Sequence, residues 1–439
     1  MYTPILLVSS LISFLSIRQV RKDPLLANGF TVVYIIWNLP LFLSVVFPFT
    51  FPFQDISNYP FVLLIISIIH IILGGGIIAF KNYRKKYIQK EVNVIGSSPP
   101  YIFFLAAYAS PFILSVDNFI FKGVSLSSNL EQNREAVTSE STPLGLIAVV
   151  CAGICLYLLS WAFTFDGKKI RVHPSCLLPY VLTLIVITLG GNRQFLLLGI
   201  MFLLFNFIKI LKPKIKRTLK WLVNLTIIFV PLSLAFQFAR QTKLEDKQTE
   251  FITTILKISI IDNHPLKQIF TFNETILSAS LYIYTYFGTQ YDTISATAKT
   301  IHEFSPFASL TLPVLYRRWA VGLNLPSQND VMETLQNQLA SEYGIFPKIW
   351  TTMFGSIYVE GGLLYLCFFC LILCYVHSVL VNNYLKNTAL GDINLIIFYV
   401  FMIFGIITIG TYEVPFFFLM LAAFLNSKFN LKVFKKYYW

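Results

Sequence analysis

The stretch TLGGNRQFLLLGIMFLLF, residues 188–205, sets a single arginine, Arg193, between two apolar runs. The run that follows provides most of a membrane-crossing helix, since about 20 apolar residues span the hydrocarbon core of a bilayer. The glycines at 190 and 191 let the chain reverse and let two helices approach closely. The stretch therefore predicts two membrane helices joined by a tight turn that carries a guanidinium group.

The composition extends this reading to the whole chain. Of 439 residues, 56% are hydrophobic and 13% are charged, whereas about a quarter of the residues of a soluble protein are charged. The apolar segments lack the alternation of a membrane barrel, and backbone that faces lipid must be hydrogen-bonded internally. The sequence predicts an all-α polytopic membrane protein.

Eleven segments are long and apolar enough to be predicted as membrane spans. They are residues 3–17, 28–47, 60–80, 99–116, 143–165, 175–191, 195–211, 221–239, 360–381, 393–410 and 412–427. The predicted organisation is eight helices in residues 1–239, with a short loop at 117–142, then a large loop at 240–350. Three helices and a tail follow in residues 351–439.

Lysine and arginine are unevenly divided between alternate connections. One set carries 22 of them, and the other set, without the large loop, carries only Lys122, Arg134 and Arg193. Basic connections remain in the cytoplasm, so the C-terminus is predicted inside and the N-terminus outside. The basic runs are short and lie at span ends, which fits anionic lipid head groups as partners and argues against nucleic acid.

The large loop, 240–350, is predicted to be external and folded. It contains nine basic and ten acidic residues and several prolines between amphipathic stretches, and loops of this length are seldom structureless. Residues 274–301 predict one or two helices rich in tyrosine. These tyrosines either pack the loop against the membrane interface or stack on sugar rings, and the candidates are Tyr282, Tyr284, Tyr286 and Tyr291.

Metal and redox chemistry have little support in the sequence. The five histidines form no HExxH motif and no pair at ligand spacing, and no DxD motif occurs. Cys367 and Cys370 have the spacing of a redox pair, but they lie in a predicted span without nearby histidine or carboxylate, which favours core packing. We therefore expect no metal and no cofactor.

The external arginines are the first candidate site residues. Arg193 lies in the turn quoted above, Arg240 at the end of the eighth span, and Arg134, Arg317 and Arg318 in the two loops. Lysine would serve equally as an interfacial anchor, whereas a guanidinium group binds phosphate through two parallel hydrogen bonds. The arginines thus predict a binding site for a lipid-linked diphosphate.

Two motifs give the chain a family resemblance. GGNRQFLLLGI, residues 190–200, has an arginine in a glycine-containing turn before a leucine-rich span. WTTMFGSIYVEGGLLYLCFF, residues 350–369, has threonine, aromatic residues and then an acid followed by glycines at the start of a span. Together with two external loops of which the second is the larger, these motifs resemble the bacterial O-antigen polymerases, the Wzy-type oligosaccharide repeat unit polymerases.

The second motif puts Thr351 or Thr352, and Glu360 with the two glycines that follow it, on family positions. Glutamate stands where the family has aspartate followed by an aromatic residue and glycine. The resemblance implies a GT-C-like helical bundle in the bacterial inner membrane, with the large loop as a periplasmic cap. It also implies undecaprenyl-diphosphate-linked glycans as substrates and a chain-length regulator protein as a further partner.

The implied reaction is metal-independent, inverting glycosyl transfer that extends a lipid-linked glycan by one repeat unit. Cations must stabilise the diphosphate leaving group and a base must accept the proton of the attacking hydroxyl. Glu360 is the first candidate for the base, because an acid at the mouth of a span is costly unless paired or functional. His302 is the second, and Asp292, Glu303 and Glu342 are further candidates. A salt bridge to an arginine is the alternative role for Glu360.

Other classes of membrane protein share part of this pattern. An O-antigen ligase would have the same architecture and chemistry with a different acceptor, but the large loop lacks a histidine motif near its end. A lipid-linked oligosaccharide flippase would be expected to show more even spans, an internal repeat and no large external loop. A solute transporter would be expected to place charges at mid-membrane rather than at the external rim. The sequence therefore favours the polymerase.

Overall fold

The computed structural model describes most of the chain. The described residues are 2–51, 59–86, 99–125, 142–165, 170–190, 194–224, 257–272, 274–300, 323–343, 352–386 and 391–406, with single positions at Asn133, Val137, Ser309, Tyr316, Leu419, Met420 and Ala423. These residues are the subject of the structural statements that follow.

The first half of the described chain consists of long helices and three short strands. In chain order these are α1 (Thr3–Val20), α2 (Pro24–Val46), β1 (Phe49–Thr50), α3 (Tyr59–Lys86), α4 (Tyr101–Ser115), α5 (Pro143–Leu158), β2 (Phe163–Phe165), β3 (Ile170–Val172), α6 (Pro174–Leu189) and α7 (Gln194–Leu211). A π-helical turn, Val116–Phe121, continues α4, and a 3₁₀ turn, Leu159–Trp161, continues α5.

The second half begins with short elements of the large loop and ends with two long helices. They are β4 (Ser259–Ile260), α8 (Lys267–Thr271), α9 (Glu274–Ile283), α10 (Gln290–Thr300), α11 (Gln328–Tyr343), α12 (Met353–Leu385) and α13 (Gly391–Phe404). A π-helical turn, Tyr284–Gly288, joins α9 to α10. The strands form two antiparallel pairs, β1 with β4 and β2 with β3.

The helices have the length and surface of membrane spans. Six helices of the described part are long and apolar enough to cross a bilayer, and α6, α13 and residues 195–211 of α7 are apolar but shorter. Large apolar side chains lie on their outer faces, with Leu364 of α12 86% exposed, which suits lipid as the solvent. The protein is a multi-pass helical membrane protein, as predicted. Most of the predicted spans 221–239 and 412–427 lies outside the described residues, so eleven spans stays a prediction.

Two predicted spans differ from the helices at their ends. The span predicted at 143–165 is helical only to Trp161, and Phe163–Phe165 pairs instead with Ile170–Val172. Aromatic and β-branched residues such as those of FTF favour strands, and hydropathy does not distinguish a short apolar strand from a helix. The span predicted to begin at residue 360 belongs to a helix that begins at Met353.

The chain divides into two compact units, each built from segments that are distant in sequence. The first unit comprises Met1–Lys86, Gln241–Val379 and Phe401–Tyr412, and the second comprises Tyr87–Arg240, Leu380–Val400 and Glu413–Trp439. The large loop thus belongs to the same unit as α1, α2 and α3.

Hydrogen bonds tie the large loop to one end of α1 and α2 in the first unit. Phe49 of β1 is in register with Ile260 of β4. Tyr2, which precedes α1, donates its hydroxyl hydrogen bond to Asp292 of α10, and the Ser44 hydroxyl donates to a backbone carbonyl in the π-helical turn at 3.0 Å. The described part of the loop is therefore a folded part of the unit, as expected.

The tyrosine-rich helices predicted at 274–301 are present as α9, the π-helical turn and α10. Tyr284 and Tyr291 are fully buried. The Tyr284 ring contacts Phe47 and Phe49, and the Tyr291 hydroxyl donates to the Trp37 carbonyl at 2.8 Å. These two tyrosines therefore pack against α2 and the chain that follows it, packing against the membrane interface stays a prediction, and the side chains at 282 and 286 lie outside the described set.

The cysteines mostly pack in the interior, as predicted. Cys151, Cys155, Cys176 and Cys370 are buried, but Cys367 is exposed. Core packing is therefore wrong for Cys367, because α12 presents that face outward. Among the described residues, no three histidine, cysteine or acidic side chains are grouped so that they could hold a metal ion.

Glycines allow α3 and α12 to approach closely within the first unit. A Cβ atom at Gly76 would lie 2.4 Å from Cε1 of His377, and one at Gly75 would lie 2.5 Å from the Cys374 carbonyl oxygen. The His377 ring is buried, with Nδ1 3.0 Å from the Ile72 carbonyl oxygen. The approach of the two helices depends on the missing side chains.

We expect Gly76→Ala to lower the melting temperature of the purified protein in detergent. The added methyl group overlaps a buried imidazole, and overpacking of this kind costs about 1–3 kcal/mol. Gly74→Ala is the matched control, because no atom lies within 4 Å of a Cβ there and alanine favours the helix. Equal melting temperatures for the two variants would contradict this packing.

Candidate active site

The helix α12 is interrupted at the EGG motif that carries the family resemblance. Gly362 has φ 64° and ψ −158°, a conformation in the positive-φ region, and Gly361 before it is also non-helical. Positive φ strongly favours glycine because a Cβ atom meets the backbone there. Residues 353–360 therefore form a short helix that ends at Glu360, and a second helix follows from residue 363.

The two parts of α12 have different surroundings. Residues 363–385 are about 35 Å long at 1.5 Å per residue, enough to cross a hydrocarbon core of about 30 Å, and their exposed residues are apolar, among them Leu363 and Leu371. In the short helix, by contrast, Phe354 and Ile357 are fully buried. Glu360 thus lies directly before the long apolar helix of residues 363–385, at the residue where the sequence predicts that a span begins.

Glu360 occupies a position that is unfavourable for a carboxylate. It is only 7% exposed and lies at the C-terminal end of the short helix, where the helix dipole disfavours negative charge. Thr352 caps the opposite end, since its Oγ1 accepts a hydrogen bond from the Gly355 amide at 3.3 Å. A buried acid in this position must be compensated by its surroundings or be used in function.

Several elements of the first unit hold the short helix. The Met353 amide donates to the Gly405 carbonyl, just after α13, at 2.8 Å. Phe354 contacts the Trp37 ring with 5.1 Å between centroids. The Tyr358 hydroxyl donates to a backbone carbonyl of α10 at 3.4 Å. These contacts fix the position of the short helix and therefore of Glu360, which follows Tyr358 by two residues.

The other residues predicted as candidate bases differ from Glu360 in their surroundings. Asp292 is fully buried in α10 and accepts the hydrogen bond from Tyr2, so it acts within the packing of the unit. Glu342 is exposed on α11. His302 and Glu303 lie outside the described residues. Of the predicted bases that the structure describes, Glu360 alone combines burial with a position at the end of a span.

A surface acid provides a contrast to these buried groups. Lys267 Nζ lies 2.7 Å from Asp262 Oδ1. The hydrogen bond and charge of Lys267 lower the pKa of the Asp262 carboxyl. Asp262 therefore remains ionised on the surface of the large loop and is not a candidate for proton transfer.

All five predicted arginines lie outside the described residues: Arg134, Arg193, Arg240, Arg317 and Arg318. Described neighbours nevertheless anchor two of the segments that carry them. Tyr316, directly before the arginine pair of the large loop, is buried and donates its hydroxyl hydrogen bond to the Pro326 carbonyl at 2.7 Å. The chain immediately before that pair is thus fixed in the first unit.

Asn133 anchors the short loop of the second unit. Its side chain is 3% exposed, and Nδ2 donates to the Leu189 carbonyl at 3.2 Å and to the Ser125 carbonyl at 3.0 Å. Its Oδ1 accepts from the Ser125 amide at 3.1 Å. In sequence, Asn133 precedes Arg134 and Leu189 is four residues before Arg193. The amide therefore joins the two chain segments that lead into these predicted site residues.

The base of the same loop is held by an ion pair that the sequence analysis missed. Lys122 Nζ lies 2.9 Å from Asp117 Oδ2, with the side chains 8% and 1% exposed, and the Thr142 hydroxyl also donates to Asp117. Thr142 in turn caps α5 by accepting from the Gly145 amide at 2.8 Å. The sequence contained a sign of this pair, because Asp117 lies at the end of a predicted span and precedes the external Lys122 by five residues.

Comparison of the chain with models of protein families, with curated proteins and with solved structures found no match. The family resemblance therefore depends on the sequence motifs and the pattern of spans. Apart from that resemblance, the structure shows a buried carboxylate at the break in α12.

We expect Lys122→Met to destabilise the protein by about 3–5 kcal/mol, because it leaves Asp117 as an uncompensated buried charge. The double variant Lys122→Met/Asp117→Asn should recover most of this loss. Thermal unfolding in detergent measures both effects. Lys267→Met is the control: it breaks a pair on the surface and should leave the melting temperature unchanged. A single Lys122 variant that melts like the unsubstituted protein would show that the ion pair is not needed.

Proposed function

We propose that the protein is a polymerase of lipid-linked glycans in the bacterial inner membrane. It transfers the growing chain from undecaprenyl diphosphate to a new repeat unit on the periplasmic side. The observation that carries the proposal is the buried Glu360, set by a glycine break at the end of a membrane span. A substrate held in the bilayer by its lipid presents its sugars at the membrane surface, where such a carboxylate would meet them.

Contacts in the first unit support the placement of the N-terminus, the connection after α2 and the large loop on the same side of the membrane. Tyr2 bonds to Asp292, and Phe49 is paired with Ile260. The low count of basic residues in the external connections supports the periplasm as that side. The N-terminus is then periplasmic and the C-terminus cytoplasmic.

The proposed reaction balances without a cofactor. The acceptor hydroxyl oxygen forms a bond to the anomeric carbon of the chain's reducing-end sugar as the bond from that carbon to the diphosphate oxygen breaks. Undecaprenyl diphosphate leaves with the bonding electrons, and the configuration inverts. The hydroxyl proton passes to a base, for which Glu360 is the first candidate and His302 the second.

The leaving diphosphate needs positive charge in place before the bond breaks. Arg193, Arg240, Arg317, Arg318 and Arg134 are the proposed groups. Two described neighbours of these arginines are hydrogen-bonded in the interior. Asn133, directly before Arg134, donates to the Leu189 carbonyl, and Tyr316, directly before Arg317, donates to the Pro326 carbonyl.

A transporter is the alternative with an observation in its favour, because broken helices bind substrates or ions in many transporters. In those proteins the break lies near the middle of the bilayer. In α12 the residues after the break, 363–385, are by themselves long enough to cross it. The break is thus at a span end, which favours chemistry at the membrane surface.

A host strain deleted for this gene tests the proposal. We expect its lipopolysaccharide to carry cores capped with a single repeat where the parent shows a ladder of lengths on a gel. Cores without any repeat, with polymer accumulating on the lipid carrier, would identify a ligase instead. An unchanged ladder would exclude both activities for this glycan.

We expect Glu360→Gln to abolish long-chain product in the complemented deletion strain. The substitution retains the size of the side chain but removes the base, and loss of a general base reduces rates by about 10²–10⁴-fold. The amount of folded protein should be unchanged. Glu333→Gln, at an exposed position of α11, is the control and should support a normal ladder. A lower melting temperature with a normal ladder for Glu360→Gln would indicate a salt-bridge role and contradict catalysis.

We expect Arg193→Lys to lose polymerisation with normal membrane insertion. Lysine retains the charge but not the planar, two-pronged geometry for phosphate. The measurement is the glycan ladder together with the level of protein in the membrane fraction. Normal long-chain product from both Arg193→Lys and Arg193→Ala would contradict a role in diphosphate binding.

A further inference from the structure

One stretch of the large loop exposes large apolar side chains. It begins with β4 and ends directly after α8, and we refer to residues 259–272 as the α8 segment. Phe272 is 71% exposed, Ile269 is 59% exposed and Ile261 is 36% exposed. Large apolar side chains that are grouped on a surface mark a contact with another molecule or with lipid. The α8 segment is therefore a candidate interaction surface.

Two of these exposed side chains lie on one face of α8. Ile269 and Phe272 are three residues apart, and Phe272 retains helical backbone angles, with φ −70° and ψ −18°. Residues at this spacing are neighbours on a helix surface. Phe270 points away from them and packs on protein, with its ring centroid 4.7 Å from that of Phe47. The segment is thus apolar on two sides, of which only one is covered by the described protein.

Polar contacts hold the α8 segment against the end of α2. Its strand β4 pairs with β1, which follows α2 directly. The Ile261 amide donates to the Pro48 carbonyl at 2.8 Å. Nε2 of His264 lies 3.4 Å from the Val45 carbonyl oxygen, in the last turn of α2. The level of the segment relative to the membrane is therefore set by the end of α2.

The length of α2 places that end at a membrane surface. The helix has 23 residues and is about 35 Å long at 1.5 Å per residue, slightly longer than a hydrocarbon core of about 30 Å. Phe42, one turn before its end, is 49% exposed, so the outer surface of the helix stays apolar up to the last turn. The end of α2, with the α8 segment bonded to it, thus lies at the boundary between hydrocarbon and head groups.

The charged side chains of the segment fit the same boundary. Lys267, the first residue of α8, pairs with Asp262 at 2.7 Å, and their side chains are 35% and 86% exposed. A lysine at a membrane boundary keeps its charged end among polar groups while its stem lies along apolar surface. Exposed isoleucine and phenylalanine on a helix that also carries a lysine are typical of segments that lie in the plane of a membrane interface.

We propose that the α8 segment anchors the large loop to the bilayer, with Ile269 and Phe272 inserted among the lipids at the end of α2. Lipid is the occupant because it surrounds α2 up to this level, and the segment continues that apolar surface outward. Two of the tyrosines considered for membrane contact, Tyr284 and Tyr291, are buried inside the unit, so a different part of the loop makes the contact. This inference does not depend on the proposed transferase reaction.

Spin labelling of the full-length protein in nanodiscs tests the proposal. A nitroxide is attached to Ile269→Cys or Phe272→Cys in a background with Cys367→Ala and Cys374→Ala, which removes the two cysteines that are not buried. Power saturation in electron paramagnetic resonance measures collisions of the label with oxygen, which concentrates in lipid, and with a neutral nickel chelate, which stays in water. We expect oxygen to be the more effective at both positions, as for side chains about 5–10 Å into the head-group boundary.

Asp262→Cys is the matched control within the same segment. The Asp262 side chain is charged and 86% exposed, so the nickel chelate should be the more effective reagent there. The ratio of oxygen to nickel collisions should be several-fold higher at 269 and 272 than at 262. Nickel collisions as frequent at 269 and 272 as at 262 would show that water covers this face, and few collisions with either reagent would show that protein covers it. Either result would overturn the proposal.

Discussion

The positive φ of Gly362 is the constraint on which the first unit depends. It ends one helix at Glu360 and starts another at residue 363 within what is otherwise a continuous segment. The second helix is free to cross the bilayer, while the first packs among α2, α10 and the chain after α13 through Phe354, Tyr358 and Met353. A residue with a Cβ atom at 362 would disfavour this arrangement. The acid at the break is therefore held by backbone conformation as well as by side-chain contacts.

In the second unit, buried polar side chains hold the structure in place, whereas in the first unit the backbone conformation of Gly362 positions Glu360. The ion pair of Asp117 and Lys122, with the Thr142 hydroxyl, closes the base of the short loop. Asn133 then fastens the loop to the end of α6 through the Leu189 carbonyl. Buried polar groups of this kind are costly when any one partner is lost.

Much of the fold could be predicted because the length of apolar segments is a strong indication of membrane helices. The helices α1 to α7, α12 and α13 all overlap segments that were predicted as spans from their apolar runs, and the EGG motif coincides with the break in α12 at Glu360. The start of α12 at Met353 was missed because the predicted span began only at residue 360, whereas the helix already begins in the segment between the large loop and that span. Phe163–Phe165 was missed because an apolar strand has the same hydropathy as a helix end.

The site was less predictable, since its contacts join residues that are distant in sequence. Lys122 was counted as an external charge, although it is buried against Asp117. Asn133 was overlooked because a single asparagine in a loop has no pattern that reveals its partner at Leu189.

The central claim is that this protein performs glycosyl transfer between lipid-linked glycans. The direct measurement is incubation of the purified protein, in nanodiscs with a metal chelator, with a synthetic undecaprenyl-diphosphate-linked repeat unit. We expect stepwise products of two, three and more repeats on the lipid, with one undecaprenyl diphosphate released at each step and an inverted linkage. Release of no undecaprenyl diphosphate and no product longer than one repeat, from protein that remains folded, would contradict it.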